Sequence, residues 1–555
     1  MNSDSDLSRQ QPTANRQPKR GYAALVAAGI LLSRVAGLIR TRVMAHFLGN
    51  SAAADAFNAA LKVPNFLQNL FGEGVLSASF IPVYARLLAR GDEKLAGRVA
   101  GVIATILALL TSILVLGGVL LTPVLIDLIA PGFEGDTRAL TIEIVRILFP
   151  GVGLLVFSAW CLGILNSHRK FFLSYVAPVL WNAAMIATLV IFGTRLAQGP
   201  LAVALAWGTV VGCALQFGVQ VPFVFRYARH LSFGIDTQLE PVRNVVRNFG
   251  PVVIGRGVVQ LSAYIDQMLA SYLPSGAVAS LSYAQIIYLL PISLFGMSVA
   301  AAELPQMSGE LGSQDEIHAA LRTRLSRGLR QISFFVVPTV VAFVLIGRVL
   351  VAALYQTGEF GPEVTRYVWY ILAGSTVGLL AATLGRLYSS AFYALGNTRT
   401  PLKYATVRVI LTGTLGYLFA FPLRPLIVRA IEAIGMPIPN VPGGPAALGA
   451  VGLTASAGIA GWVEFLLLRR GLQKRIGPID AARGHELKLW IAAVLAGLAA
   501  FAVDRVVRDS VTHLPLPHIL EAIVAAGVMG VAYFAISFAL GVPEVRSTLG
   551  RFVRR

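Results

Sequence analysis

Apolar runs of about 20 residues recur along this chain from residue 22 to residue 541. Each is long enough to cross a hydrocarbon layer of roughly 30 Å as an α-helix. Lipid offers a backbone no hydrogen-bond partners, so only helices or a closed barrel can span it. A barrel would show shorter, alternating segments. The chain is 56% hydrophobic and only 13% charged, a balance foreign to soluble domains. The expected fold class is therefore an all-α polytopic membrane protein. About 14 transmembrane helices are expected, near 22–48, 56–85, 99–130, 140–164, 171–192, 200–225, 244–273, 276–302, 331–355, 366–393, 404–421, 446–468, 489–504 and 518–541.

The net charge of +19 would suggest nucleic acid in a soluble protein. Here the basic residues sit in alternate short loops without aromatic interleaving, which is the pattern that sets membrane topology. Nucleic acid is not an expected partner. Arg86, Arg90, Lys94 and Arg98 follow span two, and Arg169 and Lys170 follow span four. Arg226, Arg229, Arg243 and Arg247 flank the mid-chain linker, and Arg322, Arg324, Arg327 and Arg330 follow span eight. Arg399 and Lys403, then Arg469, Arg470, Lys474 and Arg475, continue the alternation, and Arg551, Arg554 and Arg555 end the chain. Roughly 30 basic residues fall on one side and roughly 6 on the other, which puts both termini in the cytoplasm and the span count at an even number. Residues 1–21 read as a disordered cytoplasmic tail. Arg34 and the lack of a small-x-small site argue against a cleaved signal peptide there. The longest outer loop, Pro422–Pro445, is rich in proline and glycine and reads as irregular.

An internal repeat is visible. Val152-Gly153-Leu154-Leu155 returns as Val377-Gly378-Leu379-Leu380, and Leu48 before an outer loop matches Leu273, both at an offset of 225. Phe80-Ile81-Pro82 is echoed by Glu303-Leu304-Pro305 at an offset of 223. An even number of spans lies between copies, so they insert in the same direction, as in two-lobed transporters with a site between lobes. The expected organisation is a tail (1–21), an N-terminal six-helix lobe (22–230), a C-terminal six-helix lobe (231–470), and two extra helices with a basic tail (471–555). No enzyme is expected. There is no His-Glu-x-x-His, no Walker loop and no G-x-S-x-G context. Cys161 and Cys213 lie in apolar runs with no ligand nearby in sequence, and no cofactor or metal is expected.

Span one carries Arg34, Arg40 and Arg42. A cation at bilayer depth costs roughly 2.5–3.5 kcal/mol on insertion scales, so such residues face a hydrated cavity and meet an anion there. At about 100° per residue, Arg34 and Arg42 lie some 80° apart and Arg34 and Arg40 about 120° apart. One straight helix cannot aim all three at a point, so either Gly37 permits a bend or one arginine snorkels. Span two adds Asp55, Lys62, Pro64, Asn65, Gln68, Asn69 and Glu73. Several recur at helical spacing and make one side polar, while Pro64 and Gly72-Glu73-Gly74 break the backbone rhythm. Asp55, Lys62 and Glu73 either neutralise the arginines structurally or compete with cargo for them. In the second half, Arg256 and Asp266 lie in span seven, and Asp266 is either a structural partner or a coupling-ion site. Arg386 is a mid-span candidate, while Arg146, Arg348, Arg366 and Arg408 lie closer to helix ends, where snorkelling is the default. The cationic excess points to an anionic cargo, and guanidinium forks suit phosphate oxygens.

At these residues the sequence resembles the MurJ (MviN) lipid II flippase family of the multidrug/oligosaccharidyl-lipid/polysaccharide exporter superfamily. The resemblance runs from Ser33 to about Tyr404. Its strongest stretches are Ser33-Arg34-Val35 with Gly37 and Arg40, Ala54-Asp55-Ala56-Phe57, Lys62-Val63-Pro64-Asn65 and Gly72-Glu73-Gly74. Ala130-Pro131-Gly132-Phe133, Arg146-Ile147-Leu148-Phe149-Pro150, Leu354-Tyr355-Gln356 and Asn397-Thr398-Arg399-Thr400-Pro401 follow in order. The resemblance implies a multi-pass bacterial inner-membrane flippase working by alternating access. Its cargo would be an undecaprenyl-pyrophosphate-linked saccharide, lipid II, moved from the cytoplasmic to the periplasmic leaflet for cell-wall biogenesis and cell shape. It implies substrate-binding roles for Arg34, Arg40, Asp55, Lys62 and Glu73, with Arg256 standing in for a cation absent at Gln285. It also implies a lipid-tail groove lined by the two extra helices. No protein partner is indicated. The chain departs from the family at Gln68-Asn69, Gln285, Thr412 and Gly416. The alternative cargo is another undecaprenyl-pyrophosphate-linked glycan, and a cation-coupled drug exporter ranks below both.

Overall fold

The computed structural model describes residues 20–308, 313–479, 483–511, 513 and 516–546, with backbone alone at 20–27, 30, 73, 251–252, 254–263, 305, 483, 509 and 511. Its regular structure is helical. No strand occurs among the described residues, only one isolated bridge between Thr357 and Phe360. The first half holds α1 (Arg20–Leu48), α2 (Ala52–Phe71), α3 (Glu73–Ser79), α4 (Ile81–Ala89), α5 (Glu93–Leu120), α6 (Thr122–Ile129), α7 (Gly135–Ser167), α8 (Phe171–Phe192) and α9 (Gln198–Tyr227). The second half holds α10 (Glu240–Ser271), α11 (Ala277–Pro291), a π-helical turn (Ile292–Met297), α12 (Ser298–Ser308), α13 (Gln314–Leu345), α14 (Gly347–Tyr355), α15 (Pro362–Ala394), α16 (Arg399–Ala420), α17 (Arg424–Ala433) and α18 (Gly449–Ile476). Two further helices close the chain, α19 (Arg483–Val511) and α20 (Pro517–Ala539).

Among the described residues, ten helical stretches are long and apolar enough to cross a membrane, and α16 with α17 adds a bent pair at 64°. Helices α2 and α10 fall short of that test, although the sequence places spans on them. They carry charges that mark them as cavity candidates: Asp55 and Lys62, then Arg256 and Asp266. Most of the N-terminal tail lies outside the described residues, and α1 is already formed at Arg20. The loop expected to be irregular between Pro422 and Pro445 instead contains α17. Its Leu426 and Ile434 are exposed while Ile431 is buried. Pro425 sits in its first turn, where a missing N–H costs nothing, and Gly435 just beyond the last turn takes a φ of +73°. Proline and glycine here delimit a helix rather than prevent one.

The repeat is built into element lengths. Helices α7 and α15 each have 33 residues, and α8 and α16 each have 22. Helices α5 and α6 form a long-then-short pair of 28 and 8 residues, matched by α13 and α14 with 32 and 9. Span two of the first lobe breaks at Gly72 and at Phe80 into α2, α3 and α4. Its counterpart in the second lobe is interrupted after Pro291 by the π-helical turn, a feature common at functional sites. Small residues set the closest approach inside the second lobe. A Cβ on Gly378 of α15 would lie 2.4 Å from the Cα of Gly458 on α18, so this crossing tolerates no side chain there.

Helices α19 and α20 make an apolar cluster of their own with Phe334, Val337 and Val341 of α13. The hydroxyl of Tyr533 donates to the carbonyl of Phe334 at 2.7 Å. At one end, Arg508 binds Asp504 at 2.7 Å and Glu521 at 3.3 Å, and Arg348 of α14 approaches Glu521 at 3.5 Å. The Arg508 pairs tie α19 to α20, and the Arg348 pair fastens them to the second lobe.

Candidate functional site

The two lobes meet at one end in a buried seam. Ser51 caps α2, its hydroxyl accepting from the Ala54 N–H at 3.2 Å, and this fixes Asp55 in the first helical turn. Asp55 is 3% exposed. One carboxylate oxygen accepts from the Gly276 N–H at 2.6 Å and the other from the Ala279 N–H at 2.7 Å. Asp55 thus caps α11 from the opposite lobe, its charge set against the positive end of that helix. Gly276 has a φ of +91°, and a Cβ there would fall 2.2 Å from the Asn50 carbonyl oxygen, so glycine is required on both counts.

Other contacts extend this seam. The Tyr283 hydroxyl donates to the Gly49 carbonyl at 2.9 Å. Arg42 donates to the carbonyls of Ala353 and Leu354 at the end of α14. Nδ1 of His46 lies 2.8 Å from the Thr357 hydroxyl, and the Glu359 N–H donates to the His46 carbonyl at 2.9 Å. Tyr283, Tyr355 and Phe360 pack with ring centroids 5.2 to 5.7 Å apart, all fully buried.

Lys62 is placed differently. It lies two turns further along α2 and lines a cavity of about 160 Å³ at the junction with the second lobe, which supplies Asp266, Gln285, Tyr288, Arg408 and Thr454. The hydroxyl of Tyr264 on α10 donates to the Lys62 carbonyl at 2.9 Å, and its ring meets Phe66 edge-on at 5.1 Å. Across the cavity, Arg408 on α16 pairs with Glu464 on α18 at 3.1 Å. One oxygen of Asp266 and the side-chain nitrogen of Gln267 are buried without a hydrogen-bond partner among the described residues. Native interiors rarely leave such groups unmatched.

The three arginines of α1 are not brought together. Arg40 is half-buried and sits over Trp181 of α8, 5.1 Å from the ring centroid. Arg42 turns to the other lobe and serves the seam. Arg34 is exposed, on a stretch where Leu31, Leu32 and Val35 are exposed as well. That stretch leans on α8 at Gly29, where a Cβ would meet Tyr175 at 2.9 Å. The helix is unbroken from Arg20 to Leu48, so Gly37 provides no break that would gather the cations. Glu73 opens α3 just after the break at Gly72, and Arg256 lies within α10. The side chains of both fall outside the described residues.

Sequence reasoning under-weighted Arg408. It placed the start of that span at 404, which left Arg408 near an end and free to snorkel. Helix α16 begins at Arg399, so Arg408 lies about 13 Å along it, where its guanidinium is paired with Glu464. The usable signal was its pairing with Glu464, an acidic residue inside the following apolar run.

Two lobes of matched helices, a closed seam at one end and a polar cavity at their junction define the class: a two-lobed helical membrane carrier. Comparison with known proteins narrows this. The sequence model described as "Lipid II flippase MurJ" matches residues 44–519. The chain is 30% identical over 549 residues to a probable lipid II flippase MurJ of Rhizobium meliloti (strain 1021), covering 96% of both chains. It is 29% identical over 532 residues to the lipid II flippase MurJ of Burkholderia cenocepacia, covering 94% of this chain and 97% of that one. Among solved structures, a lipid II flippase MurJ in an inward closed conformation superposes with a TM-score of 0.72 at 22% identity, over 93% of this chain and 99% of that one. An inward-facing MATE-family multidrug resistance transporter of the MOP superfamily gives 0.61 at 19% identity, over 82% and 98%. The chain belongs to the MurJ family. Membership makes it a transporter rather than an enzyme, and a multi-pass membrane protein.

Proposed function

We propose that this chain carries lipid II, an undecaprenyl-pyrophosphate-linked saccharide, from the cytoplasmic to the periplasmic leaflet of the bacterial inner membrane by alternating access. The step supplies precursor for peptidoglycan. Family membership supports the cargo class. The observation that carries the mechanism is a cavity at the lobe junction lined by a cation from each lobe, Lys62 and Arg408. Asp266 lines the same cavity as Lys62, and Glu464 pairs with Arg408, so an arriving diphosphate, with several acceptor oxygens, competes with these carboxylates for the two cations. Arg34 and Arg40 on α1, with Arg256 on α10, form the route by which the diphosphate approaches Lys62. Asp55 holds the outer end shut while the headgroup loads, and Glu73 tunes the broken span that follows Lys62. The architecture behind this is fourteen spans, as lobes 22–230 and 231–470 with two extra helices in 471–555, and both termini are cytoplasmic. The basic inner loops then favour loading of an anionic headgroup from the cytoplasmic side.

The test is rescue of a strain depleted of its own lipid II flippase. The unmodified chain restores growth and delivers lipid II to the outer leaflet, read by an added enzyme that cleaves only exposed precursor. Lys62→Ala combined with Arg408→Ala reaches the membrane and restores neither. Failure of the unmodified chain, expressed and correctly inserted, overturns the cargo. Full rescue by the double variant overturns the cavity.

A further inference from the structure

A second recess lies outside the transport path described above. The turn joining α7 to α8, the first turn of α8 and the last turn of α9 enclose a cleft of about 250 Å³. Arg169 and Lys170 form one side, and Phe171, Phe172, Phe223 and Tyr227 form the rest. Every one of these residues comes from the first lobe, and none from the lobe junction.

Both cations are exposed, and no carboxylate lies within ion-pairing distance of either among the described residues. Their placement is nonetheless fixed. Arg169 holds a φ of +59°, uncommon for a residue with a side chain. The N–H groups of Arg169 and Lys170 donate to Asn166 and Leu165 at 3.0 and 2.8 Å, which ends α7 sharply. The Lys170 ammonium sits 5.2 Å above the Tyr227 ring. That ring stacks on His168 at 5.7 Å, and His168 in turn meets the Tyr84 hydroxyl at 3.1 Å. The wall of the cleft is therefore braced into the lobe.

The remaining surface is aromatic and open. Phe172 is 48% exposed and Phe223 is 39% exposed. The cleft sits where two apolar spans end and the basic loop begins, at the level of lipid headgroups. Paired free cations above an exposed aromatic floor match one kind of molecule, a headgroup phosphate with a chain attached. A soluble anion would leave the floor wet, and an uncharged lipid would leave the cations unmatched. Basic pockets between spans on the cytoplasmic side bind anionic headgroups in this way.

We propose that this cleft holds an anionic phospholipid of the surrounding leaflet, its phosphate between Arg169 and Lys170 and its upper acyl chain against Phe172 and Phe223. The site is separate from cargo binding and fixes the α7–α9 end of the first lobe to the leaflet.

The test uses the full chain in neutral detergent, with bound lipid counted by native mass spectrometry during titration with phosphatidylglycerol, phosphatidylcholine or glycerol phosphate. Phosphatidylglycerol is retained at least about tenfold more tightly than phosphatidylcholine. Arg169→Gln with Lys170→Gln lowers phosphatidylglycerol affinity about tenfold or more, in line with roughly one factor of five per lost cation. Arg86→Gln with Arg90→Gln, which removes the same charge from another basic loop, changes it less than about twofold. Phe172→Ala weakens phosphatidylglycerol several-fold. Equal losses in the two charge variants would mean a diffuse field rather than a site and would sink the proposal. Glycerol phosphate binding as tightly as the lipid would sink it too. Rescue of growth by the unmodified chain is a separate readout, so failure here leaves the transport reading standing.

Discussion

The seam and the buried cavity lie two turns apart on α2 and treat their charged groups differently. At the seam, both oxygens of Asp55 are matched to N–H groups of the other lobe, and Arg42, His46 and Tyr283 reach carbonyls or a hydroxyl across the same line. In the cavity, Asp266 keeps an unmatched oxygen and Gln267 an unmatched nitrogen, while Lys62 and Arg408 line open space. The seam also leaves side-chain atoms of Asn50, Ser280 and Gln356 unmatched, but its charged groups are matched, and matched charges resist opening. A buried carboxylate left unmatched is waiting for something to complete it. The contrast supports the proposed gating role for the first region and binding role for the second, although both are built from the same mixture of charged and aromatic residues.

The harshest way to break this contrast is to make the seam permanent. With His46→Cys and Thr357→Cys joined by a short thiol cross-linker, transport and growth rescue fall to background, and each single-cysteine variant treated alike keeps most activity. The cross-linked protein still binds cargo headgroup, because its cavity is untouched. Retained transport would show that the seam does not need to part. A graded version removes the cap. Asp55→Ala deletes two charge-assisted hydrogen bonds, each worth roughly 1.5–3 kcal/mol. Closure is then weakened by about tenfold or more, read as faster labelling of Ser280→Cys by a membrane-impermeant maleimide. Ser280 is fully buried beside the capped turn, so an unchanged labelling rate would mean the aromatic cluster alone holds the end closed.

How legible all this was in the sequence depends on range. The apolar runs and basic loops are local signals, and they located nearly every helix; α8 was placed to the residue. The repeat was readable because a fixed offset survives in short motifs. The site was only partly readable. Lys62, which lines the cavity, was singled out because a cation in an apolar run needs a reason wherever it points. Direction was not readable: Arg40 turns to Trp181, Arg42 to the other lobe and Arg34 outward, and helical spacing alone could not say which neighbour waits on each side. Asp55 shows the limit most clearly. Its partners are backbone N–H groups 221 and 224 residues away, and backbone donors leave no mark in a sequence. Arg408 was set aside because its helix was read as starting five residues late, and its partner Glu464 lies 56 residues away.

The finest distinction concerns Tyr264, which ties the Lys62 carbonyl to α10 between the two regions. Tyr264→Phe removes one neutral hydrogen bond and keeps the ring contact with Phe66, so the expected loss is about 1 kcal/mol or less. If that bond only fastens α10 to α2, thermal stability in detergent drops slightly and transport is unchanged. If it sets the height at which Lys62 enters the cavity, headgroup affinity falls a few-fold with no further loss of stability, and Ser280→Cys labelling stays slow. The contrast between gating and binding predicts the second pattern, because Lys62 belongs to the cavity while its helix is anchored at the seam by Asp55. A Tyr264→Phe variant that labels faster at Ser280 instead would merge the two regions into one cooperative unit, and the division between them would have to be abandoned.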